Sequence, residues 1–210
     1  MAYHGYQGGA QTNYPPPGYQ YGNTAPGGFT RGAPSMAHID PAIQGWFYAV
    51  DTDRSGAITA NELQKALING DWSPFDLDTV KLLMNLFDVD HSGAIGINEF
   101  AGLWKYIQDW QQVFRQHDRD RSGAIGINEF AAALRGFDLD VPPGLLTIVQ
   151  WKYASTSGPG RRPELTFDRF MRASVTIRQL SETFQRLDTD RDGWIQINYD
   201  EFMKTVLSLP

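Results

Sequence analysis

A twelve-residue acidic segment occurs three times, and this repeat fixes most of what the chain can fold into. The first copy runs from Asp51 to Glu62, the second from Asp88 to Glu99 and the third from Asp118 to Glu129. Asp stands at positions 1 and 3 (Asp51 and Asp53; Asp88 and Asp90; Asp118 and Asp120), and Ser at position 5 (Ser55, Ser92, Ser122). The backbone carbonyl of Ala57, Ala94 or Ala124 falls at position 7, and Glu62, Glu99 or Glu129 at position 12. Oxygen ligands at this spacing end in a carboxylate that can bind through both oxygens. Such a set suits the larger, higher-coordinate Ca2+ better than octahedral Mg2+. Position 9 (Thr59, Gly96, Gly126) completes the shell, through water where it is Gly. Gly56, Gly93 and Gly123 sit where the chain must turn sharply, a conformation that costs Gly nothing sterically.

The spacing of the copies sets the architecture. Their first ligands are 37 and then 30 residues apart. The shorter step leaves little length for a linker, so residues 100–116 leave the second loop and enter the third as one helix. Leu103, Trp104, Ile107, Trp110, Val113 and Phe114 keep a helical period along it. Residues 92–101 and 122–131 are identical, an internal repeat whose unit is the calcium-binding helix–loop–helix, the EF-hand. The expected fold is all-α, with short β contacts between paired loops.

The folded part is expected to begin near Asp40-Pro41, an N-cap followed by a Pro at the first helical position. Ile43, Trp46, Phe47 and Val50 then share a helical face, and Leu63, Ala66, Leu67 and Ile68 continue the pattern beyond the first loop. Val80, Leu83, Met84, Leu86 and Phe87 lead into the second. A fourth unit is degenerate. Leu145, Ile148, Val149 and Trp151 form its incoming helix, but residues 154–169 bring Arg161 and Arg162 where an acidic ligand set belongs, so no Ca2+ is expected there. A fifth unit (188–201) opens with Asp188, Asp190 and Asp192, Gly193 and the carbonyl of Trp194 at position 7. It has Tyr199 at position 12, and Glu201 arrives two residues late. The pattern reads as a two-residue insertion that weakens the site.

Twelve of the 24 acidic residues lie at these ligand positions, so the net charge of −6 is concentrated at metal sites rather than spread as a solvating coat. No basic stripe favours nucleic acid. The absence of Cys excludes disulfides, thiolate metal sites and a cysteine nucleophile. His4, His38, His91 and His117 are scattered, and neither a nucleophile motif nor a phosphate-cradling loop appears, so an enzyme is not expected. No signal pattern, myristoylation pattern or bilayer-spanning apolar run is present. The expected location is the cytoplasm, with the nucleus and, in calcium, membranes or vesicles as further stations.

Residues 1–37 differ in composition from the rest. They are rich in Gly, Pro and Tyr, Arg31 is their only Lys, Arg, Asp or Glu, and they read as a disordered tail. Pro16-Pro17-Gly18-Tyr19 fits the PPxY pattern read by WW domains, although coincidence is the more ordinary explanation in so Pro/Tyr-rich a stretch.

Five units over residues 38–210, two helices each shared by successive units, Leu103-Trp-Lys-Tyr-Ile-Gln-Asp-Trp110 in the first of these, Asp188-Thr-Asp-Arg-Asp-Gly-Trp-Ile-Gln196 in the fifth loop, and the Gly/Pro/Tyr tail together resemble the penta-EF-hand family. One departure is the second loop, which carries a full ligand set here. EF-hand loops pair at position 8, so Ile58 is expected to face Ile95 and Ile125 to face Leu165, leaving Ile195 without a partner in the chain. An unpaired edge seeks another edge, and an isologous dimer through the fifth unit satisfies it. The resemblance implies the same, as homodimer or as heterodimer with another penta-EF-hand protein. The competing expectation is that the C-terminal helix folds back over unit five. The reading that follows is a calcium-sensing adaptor that exposes apolar surface when filled. Its targets, through the resemblance, are Pro-rich proteins of vesicle traffic or membrane repair, and it can associate with membranes in calcium. A calcium buffer and a non-catalytic regulatory subunit of a calpain-like partner are the alternatives. Trp46, Phe47, Trp104, Tyr106, Trp110, Trp194 and Phe202 are candidates for lining a groove, with core packing the ordinary fate of such residues.

Overall fold

The computed structural model of the protein describes residues 39–154 and 163–207. The tail with its PPxY pattern, Arg161 and Arg162 therefore lie outside the described residues.

Helix α1 (Pro41–Val50) starts as its sequence requires. Asp40 accepts a hydrogen bond from the Ala42 amide at 2.8 Å, and Pro41 needs no partner for an N–H it lacks. Strand β1 (Ala57–Ile58), α2 (Ala60–Ala66) and α3 (Leu77–Phe87) follow, then β2 (Ile95–Gly96) and the 21-residue α4 (Ile97–His117). Strand β3 (Ala124–Ile125), α5 (Ile127–Gly136), α6 (Pro143–Tyr153) and β4 (Leu165–Thr166) build the third and fourth units. The 21-residue α7 (Phe167–Leu187) leads to the fifth loop, and α8 (Tyr199–Leu207) leaves it. Both shared helices are thus present.

The loops pair antiparallel in the expected register, with Ile58 opposite Ile95 and Ile125 opposite Leu165. All four of these side chains are buried. Helix α4 is the spine of the molecule and packs against α1, α3, α5 and α7. Its rings connect the two halves. Phe100 meets Phe47 of α1 edge-on at 5.7 Å, while Phe114 meets Phe167 and Phe170 of α7, each at 5.5 Å. Each such pair contributes about 0.5–1.5 kcal/mol beyond its buried area.

Three departures from the apolar pattern have physical causes. Helix α2 ends at Ala66, before Ile68, which leaves the helix to form an isolated bridge with Pro74 and is exposed. Helix α6 forms where expected, but Leu146 and Tyr153 make its buried side, while Leu145, Ile148 and Trp151 face solvent. Unit five has no strand partner among the described residues, and α8 buries none of its side chains.

A polar latch ties the linker between the first two units to the fourth. The buried Asp168 carboxylate accepts from the Asp76 amide at 2.6 Å, and the Asp168 amide donates to Oδ1 of Asn69 at 3.1 Å. Arg172 spans Asp76 and Asp78 at 2.7 and 3.0 Å.

Candidate metal centres

Each loop is bounded by the helix before it. The amides of Asp51, Asp88, Asp118 and Asp188 still bond back to the fourth residue before them, so the position-1 carboxylate leaves the last helical turn in a fixed direction. Asp51 shows the consequence: its Oδ1 accepts from the Ser55 amide at 3.0 Å and its Oδ2 from the Gly56 amide at 2.9 Å. Asp88 and Asp118 accept the same pair, from Ser92 and Gly93 and from Ser122 and Gly123. The glycines adopt φ of +85°, +82° and +79°, with Gly193 of the fifth loop at +83°. Position 4 is left-handed as well, at Arg54, His91, Arg121 and Arg191. That conformation costs an ordinary residue about 1–2 kcal/mol, and no residue type at position 4 signals it in the sequence.

The remaining ligands gather on the inner side of the turn. The hydroxyls of Ser55, Ser92 and Ser122 lie 2.9, 3.0 and 2.9 Å from the position-7 carbonyls of Ala57, Ala94 and Ala124. Ser92 and Ser122 hold Asp90 and Asp120 below the usual carboxylate range, chiefly through hydrogen bonds from their hydroxyls and then their amides. Both are therefore ionised near neutrality.

Position 12 closes each loop. Glu99 accepts from the amides of Val89 and Gly96, and Glu129 from those of Arg119 and Gly126. Glu62 accepts more. Thr52 reaches its Oε1 through both amide and hydroxyl, at 2.9 and 2.8 Å, and Thr59 reaches Oε2 in the same way at 3.0 and 2.8 Å. The Thr59 amide, then the Thr59 and Thr52 hydroxyls, hold the Glu62 pKa at about 2. Thr52 was not singled out by the ligand pattern, whereas Thr59-x-x-Glu62 is a capping-box spacing that sequence reading can find.

The donor sets fit Ca2+. Carboxylate oxygens of Asp51, Asp53 and Glu62 lie within 4.8 Å of one another, as do those of Asp88, Asp90 and Glu99. Oxygens each 2.3–2.6 Å from one Ca2+ stand no further apart than about 5 Å. The third loop shares the hydrogen-bond frame, but Asp118, Asp120 and Glu129 do not form such a group, so its side chains must close further on an ion.

The degenerate and altered loops differ in register. The pairing of Leu165 with Ile125 places Arg169 opposite the role of Glu129, so a cation stands where the fourth unit needs its anchor. In the fifth, Asp188, Asp190 and Asp192 converge within 4.8 Å, and the carbonyl of Trp194 follows in sequence. Asn198 caps α8 by accepting from the Glu201 amide at 2.9 Å. The helix therefore starts two residues later than in the third loop, which is the insertion read from the sequence. Glu201 holds the helix position of Glu129 but is not in the carboxylate group.

Among the groove candidates, Phe47, Tyr106 and Trp110 are core, and Trp46 and Trp104 are half-buried with ring centroids 4.5 Å apart. Trp194 and Phe202 are exposed.

The EF-hand domain pair family matches residues 40–105 and 107–207. Peflin of Xenopus laevis is 36% identical over 186 residues, which is 87% of this chain; the chain spans only 65% of the length of that relative. Sorcin of Homo sapiens is 36% identical over 213 residues, covering 100% of both chains. The solved structure of a homolog of programmed cell death 6 protein from Leishmania major Friedlin superimposes with a TM-score of 0.66 at 32% identity, over 80% of this chain and 94% of that one. The assembled loops and these likenesses agree: this Ca2+-binding chain belongs to the penta-EF-hand family.

Proposed function

We propose that this chain is a calcium-sensing adaptor that pairs through its fifth unit and recruits protein targets when filled. The supporting observations are the gathered carboxylates of loops one and two, whose hydrogen-bond frame loop three shares, and the uncovered apolar surface of unit five. Leu180 and Phe184 at the end of α7 and Trp194, Tyr199, Phe202, Val206 and Leu207 around α8 are all exposed. No described side chain of α8 is fully buried, which favours pairing over a helix folded back on the unit. Its uncovered face instead suits a second penta-EF-hand protein, the same chain or another. Loops 51–62, 88–99 and 118–129 are the filled sites of this reading, loop 188–201 is a weak one, and residues 38–210 form the domain that carries them. Ca2+ acts by holding Glu62, Glu99 and Glu129, the first-turn residues of outgoing helices, and so setting the angle of those helices. The cytoplasm is the setting in this reading, with vesicle or membrane targets reached in calcium.

Two measurements test it. Sedimentation velocity of Phe202→Glu/Val206→Glu is expected to show monomer where the parent shows dimer; an unchanged dimer refutes pairing through unit five. Binding of a hydrophobic dye is expected to rise with Ca2+ over chelator, together with capture of target proteins. Stoichiometric Ca2+ uptake without either change leaves a buffer.

A further inference from the structure

Helix α6 belongs to the degenerate unit and has no calcium ligand to carry, yet it presents an apolar ridge to solvent. Leu145, Ile148 and Trp151 recur every three residues along one side and are 53%, 61% and 76% exposed. Leu146 and Tyr153 anchor the opposite side in the core. Contiguous exposure of this kind marks an interaction surface. The C-terminal end of the ridge adjoins a cleft of about 360 Å³ lined by Asp76, Asp78, Lys152, Tyr153, Arg169 and Arg172. Arg172 is taken up by Asp76 and Asp78. The three cations of the cleft exceed its two carboxylates by one charge, with Arg169 steered by the Tyr153 carbonyl at 3.4 Å and Lys152 lying 5.4 Å from the Tyr153 ring centre. The acidic Asp138 and Asp140 precede the other end of the helix.

We propose that the α6 ridge, with Lys152 and Arg169, docks this protein on an anionic lipid surface. The ridge stands out from the surface, each of its three side chains being more than half exposed. A peptide or small ligand is received by a groove or pocket, whereas a protruding row of Leu, Ile and Trp matches a deformable apolar layer. Trp settles at the boundary of the acyl region, and the adjacent cations meet headgroup phosphate or carboxylate just outside it. The polarity of the helix orients the contact, Trp151 end down and Asp138/Asp140 end away. The residues involved are separate from the loop carboxylates and from α8, so the proposal does not depend on the adaptor reading.

The test is co-sedimentation of the full chain with phosphatidylcholine vesicles, with and without phosphatidylserine, in calcium and in chelator. The chain is expected to pellet with the phosphatidylserine vesicles and several-fold less with phosphatidylcholine alone. Lys152→Ala is expected to weaken binding roughly fivefold, the effect of one basic residue near an anionic surface. Trp151→Ala and Ile148→Ser are expected to weaken it at least as much, with Ca2+ stoichiometry unchanged because all three side chains are exposed. Glu62→Gln/Glu99→Gln/Glu129→Gln, which disables the three full loops, is expected to retain vesicle binding with calcium and with chelator alike. Failure to bind phosphatidylserine vesicles, or binding indifferent to Trp151→Ala and Lys152→Ala, overturns the proposal. A change of oligomeric state on Trp151→Ala overturns it too, by making the ridge a contact between copies.

Discussion

At the scale of single residues, the three full loops are not equivalent. Val89 and Arg119 occupy position 2 in loops two and three, and Gly96 and Gly126 position 9, so Glu99 and Glu129 are held by amides. Only Glu62 also receives two hydroxyls, from Thr52 and Thr59. A carboxylate held over its loop before the ion arrives raises the fraction of molecules competent to bind, and apparent affinity rises in proportion. Thr52→Val, which keeps the shape and the amide, is therefore expected to weaken loop one by roughly three- to tenfold, the scale of one ordinary hydrogen bond of about 0.5–1.5 kcal/mol. Calorimetry against Glu62→Ala, which removes the site altogether, reads this directly; equal affinity for Thr52→Val and parent refutes it. The same bonds carry a pH dependence. The Glu62 pKa falls on folding from an ordinary 4.5 to about 2, so its stabilisation is fully present above 4.5 and is lost as pH falls through the folded value. The stability advantage over Glu62→Gln, measured by urea unfolding, should shrink steadily between about pH 4.5 and 2; a constant difference across that window contradicts the assignment.

At the scale of elements, what the sequence revealed was what is local. Ligand spacing within twelve residues placed the three loops, position 8 gave both pairings, and the 30-residue step required α4 to serve two units. The Asp168 latch was not legible, because it joins residues 92 and 99 positions apart and none of them belongs to a repeated pattern. The exposure of α6 was not legible either. Leu145, Ile148 and Trp151 satisfy a helical period, but a period shows only that a face is apolar and says nothing about what covers it. The latch matters because it fastens the α2–α3 linker of the first half to α7 of the second. Asp168→Ala leaves the Asp76 amide and the Thr166 hydroxyl without their acceptor in a buried setting. The expected loss is about 1–3 kcal/mol for a buried group so orphaned, read as a lower urea midpoint. Arg172→Ala, with partners that are more exposed, should cost less. The reverse order would place the strength of the latch in its ion pairs.

At the scale of the whole molecule, the net charge of −6 is held largely in the same carboxylates that bind the ion. Three Ca2+ in loops one to three bring six positive charges, so filling the sites removes most of the self-repulsion that keeps copies apart. In the proposed sensor, the uncovered side chains of α7 and α8 would then meet a partner without an electrostatic penalty, and movement of the outgoing helices would add apolar surface. Both effects favour association, but salt separates them. Repulsion between exposed charges fades over the roughly 8 Å screening length of physiological salt, whereas apolar burial does not. Sedimentation velocity with chelator and with Ca2+, at low and high salt, therefore divides the response. Association that Ca2+ promotes at both salt concentrations reports newly exposed apolar surface. If high salt in chelator reproduces the whole effect of Ca2+, the ion acts only by cancelling charge, and the sensor mechanism through the outgoing helices is wrong.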